Sequence, residues 1–220
     1  MSKEIDREMI PISLHDILTF ECSSQNACFN DCCRDLNQVL TPYDILRLKK
    51  NLGIKSDIFL KRYTSLHNGP ESGLPVVTFK SDPCSGYACP FVTDKGCSVY
   101  EDRPASCRIY PLARAISKSR DTGEITEYFA LIREPHCKGF YRKKKQTAEE
   151  WITIQDIDIY NTMNDKLMDI ISLKNRRIPG ALDKISADKF YLACYDLALL
   201  DFGIAYVKNF LFGMDITPVI

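Results

Sequence analysis

Nine of the ten cysteines fall between Cys22 and Cys137, and this clustering constrains the fold more than any other feature of the sequence. The cysteines form two groups and a single later residue: Cys22, Cys28, Cys32 and Cys33, then Cys84, Cys89, Cys97 and Cys107, then Cys137. Thiolates bind borderline and soft metal ions, and four of them complete a tetrahedral shell. The pattern therefore predicts a metal-binding protein with a cysteine cluster.

The cellular compartment decides whether clustered cysteines bind metal or form disulfides. The chain opens with charged residues and without the apolar stretch of a signal peptide. We therefore expect a cytoplasmic protein, in which thiols stay reduced and metal binding is favoured over a disulfide framework.

Charge and hydropathy exclude two classes of partner. The 29 basic and 29 acidic residues balance, so no nucleic-acid partner is expected. The apolar segment from Phe190 to Phe212 contains Asp196, Asp201 and Lys208, which are costly in a bilayer. It predicts a buried core helix and no membrane contact. The sequence predicts metal ions as partners and identifies no protein partner.

Local patterns predict an α+β fold that is mainly helical, with small β elements in a metal-centred part and long helices packed on it. We expect a lead-in segment (1–19), a cysteine-cluster metal-binding domain (20–145) and a C-terminal helical part (146–220) on the same core. Residues 81–111 have few apolar side chains, so a bound metal is expected to order them.

Caps and turns predict individual elements. A helix should begin at Thr41-Pro42 and end at Gly53, and a strand should span Leu74 to Lys80. A hairpin is expected at Asp121–Glu124, between strands 112–117 and 125–132. The capping box at Thr147–Glu150 predicts one long helix that ends near 176–177, and a final helix should begin near Ala187.

The spacing within the first group bears on the kind of metal centre. Cys28 and Cys32 are four residues apart and would share a helical face, so that Cys33 points elsewhere. This arrangement favours two neighbouring sites or a polynuclear cluster over one simple ion. Spacing alone does not separate zinc from an iron–sulfur cluster.

Other residues have simpler interpretations. Cys194 lies in an apolar helix and is predicted to be a core residue, whereas Cys84 is ambiguous between ligand and bystander. His136 could bind metal, but a surface or hydrogen-bonding role is favoured. The basic run 142–145 is interpreted as a solvated linker. No hydrolase triad or phosphate-binding glycine loop is present in the sequence, and a catalytic residue cannot be singled out.

Cations close to the cysteines could stabilise bound thiolates. Four thiolates around a divalent core carry a net charge of about −2. Guanidinium groups that surround a centre of this kind offset its charge. The arginines placed for this role are Arg34, Arg103 and Arg108.

Several cysteine motifs together resemble the YkgJ family of cysteine-cluster proteins. They are Phe20-x-Cys22 through Cys32-Cys33-Arg34, Cys89-Pro90-Phe91, Gly96-Cys97 through Arg103-Pro104, and Cys107-Arg108-Ile109-Tyr110-Pro111. Members are described as zinc- or iron-chelating and are often labelled as containing an iron–sulfur cluster such as 4Fe–4S. The opening is stretched here to C-x5-C-x3-CC, from the family's C-x2-C-x2-CC.

The resemblance implies a set of eight ligands and leaves the biological role open. The implied ligands are Cys22, Cys28, Cys32, Cys33, Cys89, Cys97, Cys107 and Cys137, with Cys84 as an extra candidate. The centre could be structural or redox-active. One branch of the family contains flagellin lysine N-methylases, so a cluster-dependent enzyme of this kind is one alternative. An interaction module that uses zinc as a staple is another.

Overall fold

The structure, a computed structural model, describes residues 8–34, 38–80, 82–119 and 121–196. Its strands are β1 (Glu8–Ile12), β2 (Ile17–Thr19), β3 (Val39–Leu40), β4 (Thr64–Asn68), β5 (Pro75–Phe79), β6 (Val92–Thr93), β7 (Gly96–Cys97), β8 (Leu112–Lys118), β9 (Ile125–Arg133) and β10 (Lys145–Thr147). Its helices are α1 (Pro42–Leu52), α2 (Ser56–Tyr63), α3 (Ala105–Ile109), α4 (Ala148–Ile154), α5 (Asp158–Arg177) and α6 (Lys184–Tyr195). The mixed α+β class is confirmed, and the description as mainly helical stays a prediction.

The chain divides into two compact units, each made of three separate stretches. The first unit contains the described residues of Met1–Arg34, Val92–Ser98 and Ala105–Asp158. The second contains those of Asp35–Phe91, Val99–Pro104 and Ile159–Ile220. The three continuous domains expected from the sequence stay predictions.

The hairpin of the first unit forms where the sequence predicts it. Strands β8 and β9 pair antiparallel, with Leu112 opposite Leu131. Gly123 adopts a φ of 73° in the turn, which glycine does without steric cost, and its N–H donates to the Ser119 carbonyl at 3.0 Å. The predicted turn and both flanking strands are confirmed.

Two strands of the first unit come from the segment expected to be a lead-in. Strand β1 pairs with β9 to give the sheet order β1-β9-β8, and β2 pairs with β10. Pro11 is tolerated in β1 because this strand lies at the sheet edge, where a missing N–H breaks no ladder. Both partner strands are distant in sequence, so the local pattern of residues 8–19 does not reveal the pairing.

An aromatic core holds the first unit together. The Phe20 ring lies 5.3 Å from the Trp151 ring and 6.2 Å from the Tyr110 ring, in edge-to-face geometry. A side chain at Gly139 would collide with the Phe20 ring, so this close approach requires glycine. The core therefore holds the backbone at residue 139 against the segment that leads into the first cysteine group.

The long helix expected after the capping box is two helices. Thr147 Oγ1 accepts from the Glu150 N–H at 3.0 Å, so the predicted cap is confirmed. Helix α4 ends at Ile154 because Asp156 adopts a left-handed φ of 51° before α5 begins. The buried Arg108 guanidinium donates to the Gln155 carbonyl at 2.6 Å and supplies a partner for the helix end. This partner is 47 residues away, so the break is not visible in the local sequence.

The second unit contains the predicted α1 and a three-stranded sheet. Thr41 and Asp44 form a reciprocal capping box, and Gly53 ends the helix in the left-handed conformation, as expected. The predicted strand is β5, at the centre of the order β3-β5-β4. Its Val77 and Phe79 side chains are buried.

The last described helix differs from its prediction by three residues. Helix α5 ends at Arg177 as expected, whereas α6 begins at Lys184, before Ala187. Asp183 sets this start because its side chain accepts from the Ser186 N–H at 2.9 Å. Cys194 is only 3% exposed, which confirms the core prediction. The predicted core helix continues into residues 197–212, which lie outside the described part.

None of the described helices combines the length and the apolar character that crossing a bilayer requires.

Candidate metal centre

All ten cysteines lie in the described part of the chain, and each is present there as a thiol. The first unit contains Cys22, Cys28, Cys32, Cys33, Cys97, Cys107 and Cys137, and the second contains Cys84, Cys89 and Cys194. Cys194 alone among the ten is buried, and the other nine are partly or fully accessible. A metal ion from solvent can therefore reach these nine thiols.

The first cysteine group forms a tight turn. Asn30 adopts a left-handed φ of 71°, and a short 3₁₀ turn follows at Asp31–Cys33. The Cys33 thiol hydrogen-bonds to Cys32, which lowers the pKa of Cys32 to about 7. The expectation that Cys33 points away from its neighbours is therefore wrong, because the chain turns as 3₁₀ and does not continue as the α-helix that the spacing suggested.

Cys137 joins this group although more than a hundred residues separate them. Its N–H donates to the Glu134 carbonyl at 3.0 Å, and the next N–H, that of Lys138, donates to Cys28 Sγ at 3.0 Å. Burial raises the pKa of Cys137, and the charges of Cys28 and Cys32 raise it further. We call Cys28, Cys32, Cys33 and Cys137 the thiol cluster.

Tyr110 lies against the thiol cluster. Burial is the main cause that raises the pKa of its hydroxyl, and contacts with Cys137 and Glu134 add to the shift. The hydroxyl oxygen is buried and makes no hydrogen bond of ordinary geometry. A buried polar atom of this kind is costly unless something compensates it.

Arg142 holds the loop that precedes Cys28. Its Nε donates to Asn26 Oδ1 at 2.5 Å, and a terminal nitrogen donates to the Gln25 carbonyl at 2.8 Å. Asn26 is buried and donates to the Glu21 carbonyl at 2.8 Å. The interpretation of residues 142–145 as a solvated linker is therefore wrong for Arg142, whose partners lie more than a hundred residues away in sequence.

The turn of the first group also packs on the hairpin that contains Cys97. The Asn30 side chain donates to the Thr93 carbonyl at 2.9 Å. Gly96 adopts a φ of 112°, and a Cβ there would lie 3.1 Å from the Phe29 ring. The Gly96-Cys97 motif thus supports the first cysteine group through backbone contact.

The structure does not assemble all eight implied ligands. Across residues 8–34, 38–80, 82–119 and 121–196, no three Cys, His, Asp or Glu side chains form an arrangement that could hold a metal ion. Cys107 lies on α3 and Cys97 on β7, and Cys22 follows the buried Phe20. The eight-ligand set, and the extra ligand Cys84, stay predictions.

Two of the three arginines expected near the centre, Arg103 and Arg108, have structural partners. Arg108 binds the Gln155 carbonyl as described, and Arg103 donates to the Tyr100 carbonyl at 2.7 Å. The Arg103 guanidinium also stacks 3.8 Å from the centre of the Tyr100 ring. Arg34 is exposed. Their role in stabilising thiolate charge stays a prediction.

Sequence reasoning missed the carboxylate beside the thiol cluster. The Glu134 side chain is only 9% exposed, and its charge acts on Cys32 and Tyr110. His136 Nε2 is buried without a hydrogen bond and lies 3.6 Å from Glu134 Oε2. The signal in the sequence was the position of both residues just before Cys137, in Glu134-Pro135-His136-Cys137.

The donor chemistry of this region fits zinc or iron. Both metals bind thiolate sulfur, and a backbone N–H directed at a ligating sulfur stabilises its charge. The thiol cluster offers the sulfurs, and the Lys138 amide is the N–H donor at Cys28. Because no three donors are already in place among the residues that the structure describes, the loops would have to close around an ion.

Comparison with protein families supports the same chemistry. The chain has no match among curated proteins or among solved structures. A family model named CxxCxxCC, described as "Putative zinc- or iron-chelating domain", matches residues 21–149, which is more than half of the chain. The matched range contains nine of the ten cysteines, including the whole thiol cluster. The chain belongs to the CxxCxxCC family of zinc- or iron-chelating domains.

Proposed function

We propose that this protein binds zinc or an iron-containing centre and that binding begins at the thiol cluster. The observation that carries the proposal is the meeting of Cys137 with the first cysteine group, held by the Lys138 N–H at Cys28 Sγ. Distant cysteines that meet in a partly accessible region, without forming disulfides, favour metal binding over core packing.

The remaining sulfur ligands belong to the proposal. Cys22, Cys97 and Cys107 share a unit with the thiol cluster, and Cys89 completes the set that the resemblance implies. Four thiolates suffice for one zinc ion, whereas eight would serve two ions or a larger cluster. The number of cysteines that bind metal therefore distinguishes a single zinc ion from two ions or a larger cluster.

We propose a structural or redox role for the centre, in a cytoplasmic protein whose thiols are kept reduced. A colourless protein with bound zinc supports the structural role. Visible absorption from sulfide-bridged iron, as in a 4Fe–4S cluster, supports the redox role. The lysine N-methylase-like enzyme and the zinc-stapled interaction module remain alternatives that rest on the family and on composition alone.

Serine variants of the full chain, purified without oxygen, test the ligand assignment. We expect Cys28→Ser and Cys137→Ser each to reduce bound metal per chain by at least half, because each removes one thiolate from the cluster. Cys194→Ser is the matched control, since this residue is buried in α6 and should leave metal content unchanged. Equal metal content in all three variants would reject the thiol cluster as the binding site.

A further inference from the structure

The side chains of Glu134 and His136 face each other beside the thiol cluster without forming a hydrogen bond. His136 Nε2 and Glu134 Oε2 are 3.6 Å apart, which is too long for a hydrogen bond of normal geometry. The Nε2 atom is buried and has no hydrogen-bond partner. The Glu134 side chain is 9% exposed.

This separation is close to the spacing of two ligand atoms on one metal ion. Nitrogen and carboxylate oxygen bind zinc at about 2.1 Å, and two such atoms at the tetrahedral angle lie about 3.4 Å apart. A divalent ion between them would give the buried nitrogen a partner and would neutralise a carboxylate placed beside thiols. A buried nitrogen that lacks a hydrogen-bond partner is otherwise costly.

Sulfur ligands lie next to this pair. Cys137 follows His136 directly, and the Glu134 carbonyl accepts the Cys137 N–H at 3.0 Å. The charge of Glu134 also acts on the thiol of Cys32. The turn 134–137 therefore presents oxygen, nitrogen and sulfur donors within four residues.

We propose that Glu134 and His136 are the oxygen and nitrogen ligands of a divalent zinc or ferrous ion whose other ligands come from the thiol cluster. This inference rests on the proposed function and narrows it. The centre becomes a mixed-donor site for a single ion and not a shell made of thiolates alone. Zinc and iron accept such mixed sets, whereas softer ions such as Cu(I) prefer sulfur.

A second Glu–His pair in the same unit is a natural control. His15 Nδ1 lies 3.8 Å from Glu149 Oε2, but these side chains are 86% and 63% exposed. The two pairs have the same chemistry and nearly the same separation. They differ in burial, and only the Glu134–His136 pair stands next to a cysteine, Cys137, in the sequence.

The test uses the metal-free full chain under argon, with zinc affinity measured in competition with a chromogenic chelator. Cobalt(II) then replaces zinc, and its visible spectrum reports the ligand set. The variants are Glu134→Gln and His136→Gln, the controls are His15→Gln and Glu149→Gln, and circular dichroism confirms that each is folded. We expect both variants to lose at least about tenfold in zinc affinity and to shift the cobalt bands, with both controls unchanged.

The outcomes separate this inference from the proposed function. A wild-type cobalt spectrum in either fully loaded variant would overturn the ligand assignment, whatever its affinity. If Cys137→Ser loses metal while the two variants match the wild type, the inference fails and the proposed function stands. If the wild-type chain binds neither zinc nor cobalt, and contains no iron and takes up none, both fail.

Discussion

The backbone N–H of Lys138 donates to Cys28 Sγ at 3.0 Å, across 110 positions of sequence. The contact joins the turn 134–138 to the first cysteine group and directs a fixed dipole at a candidate ligand. Hydrogen bonds of this kind stabilise the thiolate form of a metal ligand. The contact is made by the main chain, so it is independent of the lysine side chain.

Removal of this N–H should weaken metal binding while removal of the side chain should not. We expect Lys138→Pro to lower zinc affinity by about tenfold, because proline has no N–H to donate to Cys28. Lys138→Ala keeps the amide and should retain wild-type affinity. Chelator competition measures both, and equal affinities of the two variants would show that the amide contributes nothing.

Arg142 should matter more to the centre than its basic neighbours. Its two hydrogen bonds to Gln25 and Asn26 order the loop before Cys28, so Arg142→Ala should weaken zinc binding several-fold by raising the entropy cost of closing that loop. Lys143 is exposed, and Lys143→Ala is the matched control. Titration of both variants with zinc gives the comparison. A loss of the same size in Lys143→Ala would mean that total charge, and not the loop contact, is responsible.

We expect the buried Lys174 side chain to stabilise the folded second unit. This lysine is 1% exposed, and its Nζ donates to the carbonyls of Ser72 and Gly180. Lys174→Met keeps most of the volume but removes the ammonium donor from the Gly180 carbonyl and one of the two donors of the Ser72 carbonyl, which keeps the Leu182 N–H. We expect a cost of about 1–3 kcal/mol in the free energy of unfolding. Urea unfolding measures it, with the exposed Lys166→Met as control. A change below about 0.5 kcal/mol in Lys174→Met would show that water replaces the ammonium at no cost.

Cys194 should resist alkylation in the folded protein. Burial raises the pKa of this thiol to about 12, and only the thiolate reacts. Because the folded pKa lies above the ordinary value of 9.0, the group stays protonated at every pH below about 11 and gains reactivity only on unfolding. Iodoacetamide labelling from pH 7 to pH 10 with peptide mass spectrometry checks this. Labelling of Cys194 at the rate of exposed Cys84 in the same metal-free sample would contradict it.

The predictable parts of the fold are those in which the signal is local. The capping box at Thr41 and Asp44, the glycine that ends α1 and the hairpin around Gly123 each depend on residues a few positions apart. The break between α4 and α5 escaped prediction because Arg108 binds the carbonyl at the helix end from outside the local sequence. The strands β1 and β2 were not predicted for the same reason, because their partner strands are distant in the sequence.

The candidate metal centre also has features that the sequence predicts and features that depend on tertiary contacts. The cysteines and the prediction that they bind metal follow from residue type and spacing, which the sequence contains in full. The meeting of Cys137 with Cys28 is a tertiary contact, and so is the burial of Glu134 and of the His136 nitrogen. Burial converts an ordinary carboxylate and imidazole into candidate ligands, and no periodicity reports it.

The most direct measurement is the metal content of the full chain after purification without oxygen, by mass spectrometry of the elements together with the visible spectrum. We predict at least one zinc or iron per chain, and a large loss of that metal in Cys28→Ser. A folded, colourless protein that contains neither metal, and that takes up none when zinc or ferrous iron is added, would contradict it.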